Sequence, residues 1–309
     1  MALRVVIPGG TGLIGTKLVG ALLEHGHQPV VLTRSPERAR ARFPLVEVKR
    51  WLPEESDGDC ASFDGADAVV NLAGEPIDAG RWTRKRKEGI HDSRVAGTRS
   101  VVRCLSGMRQ RPEVLVAGSA VGYYGSRGDA SLDEIEGVGE GFLASVCSAL
   151  EREAEEAGSL GVRVVRLRTG VVLSPDGGAL GSIARPFRLG LGGRLGDGSQ
   201  WFSWIHIADH VRAVVHCLET SEVAGPVNAV SPNPVSNSEF TRAMGEVLAR
   251  PAMLRVPGPL LRLAVGEVAD ALLSSQRAVP SRLMRDGFRF EFADLRQALA
   301  DCLHVQQPD

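Results

Sequence analysis

The chain has 309 residues, 36 basic and 37 acidic side chains and a net charge of −1. It therefore lacks the basic excess of a nucleic-acid or membrane-surface protein, and no 18-residue apolar run offers a transmembrane helix. Of the 36 cations only Lys17, Lys49, Lys85 and Lys87 are lysines, and the only tyrosines are Tyr123 and Tyr124, so no mechanism here draws a lysine or tyrosine from the C-terminal part.

Near-continuous apolar runs predict strands at Leu3 to Pro8, Pro29 to Thr33, Val46 to Lys49, Ala68 to Leu72, Glu113 to Gly118 and Val162 to Arg168. Helical periods lie between them at Leu13 to His25, about Thr83 to Met108, and Phe142 to Ala157. This alternation predicts an α/β protein with a Rossmann-like, doubly wound parallel sheet and a smaller C-terminal substrate lobe. The nucleotide domain is expected over 1–170, with 205–232 returning to it through a helix (Ala208 to Thr220) and a strand (Gly225 to Ser231). Residues 171–204, rich in glycine and short of regular periods, and 233–309 form the lobe and its helical tail. The five scattered cysteines are expected to be reduced, buried small hydrophobes in a cytoplasmic protein, and the apolar start breaks at Pro8 and Gly9, too early for a signal peptide.

Between the first strand and first helix stands Gly9-Gly10-Thr11-Gly12-Leu13-Ile14-Gly15. Glycines at 9, 12 and 15 suit a tight turn, close approach to a pyrophosphate and close helix–strand packing, with helix N–H groups facing the phosphates. The second strand ends in Thr33-Arg34-Ser35, with Arg38 one turn on and no acid at that point. An arginine there accommodates a 2′-phosphate where a carboxylate would repel it, so the expected cofactor is NADP(H).

Further segments resemble the extended short-chain dehydrogenase/reductases: Asn71-Leu72-Ala73-Gly74-Glu75, Gly118 to Gly125, Leu167-Arg168-Thr169-Gly170-Val171, and Gly196-Asp197-Gly198-Ser199-Gln200 leading into Trp204-Ile205-His206-Ile207-Ala208-Asp209. The chain is most similar to the atypical branch known as the NAD(P)-binding epimerase family. It shares Arg81-Trp82, Ser93-Arg94, the Tyr123-Tyr124 pair and a terminal module with Ser275-Gln276-Arg277 and Gly287-Phe288-Arg289-Phe290. The resemblance implies cofactor contacts from Leu72, Ala73, Gly74, Glu75, Arg94, Ser119, Thr169 and Val171, beside those of Gly9, Thr11, Gly12, Leu13, Ile14, Gly15 and Arg34. It also implies that His206 and Asp209 fix their loop and cap the next helix.

Ordinary members use a Tyr-x-x-x-Lys pair, a Ser/Thr and an Asn. The stretch 142–157 contains neither Tyr nor Lys, the Ser/Thr position falls on Ala120 with Ser119 one off, and the Asn position holds Arg94. The candidate substitutes are Tyr123, Tyr124 and Glu75, with Arg94 expected to acidify a tyrosine. The two functions this leaves are an NADP(H)-dependent oxidoreductase or epimerase-like enzyme, acting on a small carbonyl or hydroxyl compound of sugar-derived type, and a non-catalytic NADP(H) sensor or scaffold. The expected partner is a small molecule, with no metal, nucleic acid or membrane, in a monomer or homodimer. Gln200, Trp201, Phe202 and Trp204 are candidates for an aromatic substrate wall, with core packing the alternative for Trp204.

Overall fold

Seven parallel strands form one sheet in the computed structural model, which describes residues 2–53, 60–77 and 80–303. They are β1 (Arg4–Pro8), β2 (Gln28–Thr33), β3 (Glu47–Arg50), β4 (Ala68–Asn71), β5 (Val114–Ala120), β6 (Arg163–Thr169) and β7 (Gly225–Ala229), in the order β7-β6-β5-β4-β1-β2-β3. Every pairing is parallel, so the chain must cross over between strands, and it does so on both faces.

Alternation along the strands divides the core in two. Val5, Ile7, Val31, Val70 and Val116 meet α1 (Leu13–Glu24) and α6 (Ile207–Glu219) on one face. Val6, Val30, Leu32, Val69 and Leu115 meet α3 (Arg84–Gly107) and α4 (Phe142–Glu155) on the other. Burial on both faces explains why these strands read as unbroken apolar runs. The short α2 (Pro36–Arg42) follows β2.

The smaller lobe gathers α5 (Gly178–Arg188), α7 (Asn237–Val247), α8 (Gly258–Val265), α9 (Val268–Leu272) and α11 (Leu295–Leu303), whereas α10 (Ser281–Arg285), expected in the lobe's tail, packs Leu283 into the main-sheet core beside β7. Trp204, Phe240, Met244, Leu299 and Phe187 pack together there. Helix α5 lies within the stretch that glycine density marked as irregular. Leu180, Ala184 and Phe187, at helical spacing, give it one buried face.

The cysteine expectation needs correction. Cys60 and Cys104 form a disulfide joining the 3-10 turn Cys60–Phe63 to α3, while Cys147, Cys217 and Cys302 are free and buried. Their separation of 44 residues hid the proximity, because the crossover from β3 to α3 folds the turn back onto the helix. Among the described residues, no helix is long and apolar enough to cross a membrane.

Candidate functional site

The parallel strands bring their C-terminal ends to one edge of the sheet, where β1 and β4 mark the point at which strand order reverses. Gly9 turns the chain at φ +82°, and a Cβ there would lie 2.6 Å from the Leu72 carbonyl carbon. Gly15 is equally constrained: its Cβ would stand 2.5 Å from the Gly9 oxygen. These two glycines let the loop after β1, the start of α1 and the loop after β4 converge. Gly12 is the N-cap of α1 and provides no side-chain cap, and no acid occupies the first turn. The first N–H groups of α1 therefore face outward without a protein acceptor, an arrangement that favours an anion.

Arg34 lies exposed at the end of β2. Sequence reasoning missed Arg42, whose guanidinium reaches back from α2 to the Thr11 carbonyl at 3.5 Å. Its helical spacing from Arg38 (i, i+4) was the available signal.

The second wall of the cleft is the segment Leu72–Gly74. Asn71 fixes it by donating to Thr98 Oγ1 (3.2 Å) and accepting from the Ala73 N–H (3.2 Å). Arg94 lies against exposed Gly74, where a Cβ would stand 3.1 Å from its guanidinium carbon. Glu75, the candidate base, is placed as an anchor of this segment. Its carboxylate pairs with Arg86 on the first turn of α3, its N–H donates to Ser93 Oγ (3.1 Å), and Arg86 also holds the Pro76 carbonyl.

The ends of β5 and β6 carry a buried polar row. Arg168 and Glu151 form a two-pronged ion pair (3.0 and 2.9 Å), each side chain only 3% exposed. Ser119 Oγ donates to Glu151 Oε1 at 2.7 Å, and Arg168 donates to the Tyr124 hydroxyl at 3.0 Å. That hydroxyl also lies 2.7 Å from Asn228 Oδ1 and 3.0 Å from the Asp133 carbonyl. A legible signal for this row existed. Arg166 and Arg168, two apart on β6, share a strand face, and Glu151 and Glu155, four apart on α4, share a helix face. The two spacings match, and Arg166 also pairs with Glu155 at 3.3 Å.

Tyr124 is thus tied into this row at its hydroxyl. It is fully buried, and burial pushes its hydroxyl up to about 12 even though Arg168 and its hydrogen bonds pull the other way. The expected acidifying Arg94 is not its partner. Burial, reinforced by Glu151, likewise pushes the neighbouring Cys147 thiol up to about 11, leaving no reactive thiolate. Tyr123 differs. Its half-buried ring lies 3.6 Å from the Arg168 guanidinium, and its hydroxyl has no hydrogen-bond partner among the described residues. Thr169 meets His210 Nε2 at 3.0 Å, and burial lowers the His210 pKa to about 4.

The C-terminal module completes the cleft. Gln276 Nε2 donates to the Gly125 carbonyl (3.0 Å) and Ser275 Oγ to that of Gly128 (2.6 Å), while Arg277–Ala278 pairs in parallel with Ser131–Leu132. Trp201 donates to Asp129 (2.6 Å) beneath the Arg277 guanidinium, whereas Trp204 is fully buried core. A cavity of about 640 Å³ lies here, lined by Asp129, Gln200, Trp201, Leu273 and Ser275 among others. Helices α8 and α9 are tied across to the nucleotide domain: Arg81 donates to the Leu263 and Ala264 carbonyls (2.8 and 3.0 Å), and Lys87 pairs with Glu267 (2.7 Å).

Two triads of metal-capable side chains occur among the described residues, His25–His27–Glu219 and His206–Asp301–Cys302. In both, a backbone N–H donates to Nδ1 of the buried histidine: Leu3 to His27 at 3.1 Å and Ala208 to His206 at 3.2 Å. The proton then belongs on Nε2, which points at the carboxylate and so offers a metal no lone pair. His206 caps α6, and Asp209 accepts the Glu291 and Phe292 N–H groups, tying the tail to that helix.

Residues 5–230 match the model of the NAD dependent epimerase/dehydratase family, and residues 256–302 match a domain of unknown function, DUF1731. The chain is 41% identical to the epimerase family protein Mb2239 of Mycobacterium bovis, covering 96% of each chain. It is 39% identical to the chloroplastic SDR39U1 homolog of Arabidopsis thaliana, over 96% of this chain and 86% of that one. Among solved structures, the human epimerase family protein SDR39U1 with NADPH superposes with a TM-score of 0.87 at 32% identity, over 98% and 99% of the two chains. With its glycine turn, reversed strand order and tail-built outer wall, the chain belongs to the NAD dependent epimerase/dehydratase family, with an extended short-chain dehydrogenase/reductase fold.

Proposed function

We propose that the chain is an NADP(H)-dependent oxidoreductase or epimerase-like enzyme for a small carbonyl or hydroxyl substrate, with Tyr123 as its proton donor and acceptor. The observation that carries the cofactor reading is the uncapped N-terminus of α1 above a turn where Gly9 and Gly15 exclude any side chain. Gly9, Thr11, Gly12, Leu13, Ile14 and Gly15 would hold the pyrophosphate and Arg34 the 2′-phosphate, with Arg42 behind Thr11. Leu72, Ala73, Gly74 and Arg94 would line the opposite side, with Ser119, Thr169 and Val171 toward the reacting end. The human relative's NADPH complex supports the phosphorylated form of the cofactor.

When bound, the nicotinamide supplies or receives the hydride. Tyr123 would hold the proton at its free hydroxyl, with the Arg168 guanidinium against its ring fixing where that hydroxyl sits. The wall from Ser275 to Arg277 would orient the substrate and keep water out. Arg34→Glu should weaken NADPH binding about tenfold or more and NADH binding far less, measured by fluorescence titration. An equal loss for both would remove the 2′-phosphate assignment. Incubation with 4-labelled NADPH and a carbonyl panel tests chemistry: label should reach a substrate, and Tyr123→Phe should stop it.

A second reading, a non-catalytic NADP(H) sensor, is favoured by the locked row Ser119–Glu151–Arg168–Tyr124, whose members bond to one another and whose Tyr124 hydroxyl burial pushes up to about 12. Tight NADPH binding without label transfer would select it.

A further inference from the structure

A second concavity, of about 660 Å³, lies in the smaller lobe and shares no lining residue with the first. Three arginines converge on it from separate places: Arg194 from the strand Gly193–Leu195, Arg242 from α7, and Arg250 from the turn that follows α7. None of them has an ion-pair partner within 4 Å among the described residues. The lining's one carboxylate, Glu246, is held by Arg296 at 2.7 Å, and Glu239, whose charge also acts on Arg242, is held by Ser236 in the α7 capping box. The concavity therefore presents three permanent positive charges and no free negative one. The Ser238 and Thr241 hydroxyls also line it.

The backbone holds these like charges together. Arg250 donates its N–H back to the Gly245 carbonyl at 2.9 Å, which needs Ala249 in the left-handed region at φ +49°. It also needs Gly245 bare, since a Cβ there would lie 2.8 Å from that of Ala252. Arg194 is fixed by the parallel pairing of Gly193–Leu195 with Leu254–Val256. Fork-shaped donors from three separate backbone segments, with two hydroxyls, suit a tetrahedral oxyanion with several acceptor oxygens. The rim is apolar, with Met253 91% and Leu254 50% exposed.

We infer that this concavity binds the phosphate monoester of a ligand whose apolar body lies on Met253 and Leu254. Two sources supply that chemistry, a soluble alkyl phosphate and the headgroup of an acidic lipid. The probes are hexyl phosphate and phosphatidylcholine vesicles with or without phosphatidic acid. Both are applied to the full chain saturated with NADPH, so that the nucleotide cleft does not compete. Saturable binding of hexyl phosphate at about 0.15 M salt, about tenfold weaker in Arg242→Gln and in Arg250→Gln, is the expected result. Binding to phosphatidic acid vesicles alone, with the same loss in both variants, assigns the site to the lipid source. Unchanged NADPH affinity in the variants confirms their fold. Absence of binding to either probe, or binding that both variants retain, overturns the inference.

Discussion

The two halves of the cleft treat their polar groups in opposite ways. At the glycine turn the first N–H groups of α1 and the Arg34 side chain are left open to solvent, with neither cap nor carboxylate drawn in to satisfy them. At the ends of β5 and β6, Ser119, Glu151, Arg168, Tyr124 and Asn228 consume one another's hydrogen bonds in the interior. The first half is built to receive a ligand. The second is built to hold shape, while the Tyr123 hydroxyl at its margin has no hydrogen-bond partner among the described residues. Retention of a fold's cofactor site therefore says little about its proton chemistry, because different residues with different needs carry the two.

The largest test of this contrast falls on the closed half. Arg168→Met should cost about 3–5 kcal/mol in denaturant unfolding, since it strands the Glu151 carboxylate in the interior. A loss below about 1 kcal/mol would mean that the row is solvated. Acid provides the next test. The buried, neutral His210 has a folded pKa of about 4 against an ordinary 6.5, so it favours the native state fully above about pH 6.5. That contribution, up to about 3 kcal/mol, should drain away as pH falls from 6.5 toward 4 and be absent from the stability profile of His210→Asn.

On the open half, Gly15→Val should weaken NADPH binding about a hundredfold, as its side chain meets the Gly9 carbonyl. Nucleotide titration of the folded variant would show this. The smallest effect separates the tyrosines. Tyr124→Phe should cost about 1–3 kcal/mol of stability by leaving Asn228 and Arg168 short of a partner. Tyr123→Phe should leave the melting curve in place and abolish label transfer. If both variants change the same observable, the division between the halves fails.

Sequence legibility followed the same division. The strands of the sheet were readable to within a residue or two because double-sided burial makes them apolar throughout, and the glycine turn was readable because the φ of Gly9 and the close approaches at Gly9 and Gly15 require glycine there. Which of two adjacent tyrosines points inward depends on where the chain turns after β5, and no local pattern records that. Asn228 sits on β7, 104 residues from the Tyr124 it contacts, so only the assembled sheet reveals the pair. The tail was legible as helical and by its terminal module, but the placement of α8 and α9 was not: they bury little beyond Leu261 and Ala269, and polar ties to Arg81 and Lys87 leave no apolar signature.

The pairing of Arg277–Ala278 with Ser131–Leu132 also sets an order of assembly. A nascent chain that has emerged only to about residue 230 already contains every strand of the main sheet and both faces of its core apart from Leu283, Phe288 and Phe290. It still lacks the cleft's outer wall, which must wait for residues 275–278 and then close a loop of well over a hundred residues. Nucleotide affinity should therefore be acquired before selectivity for whatever lies beside the nicotinamide.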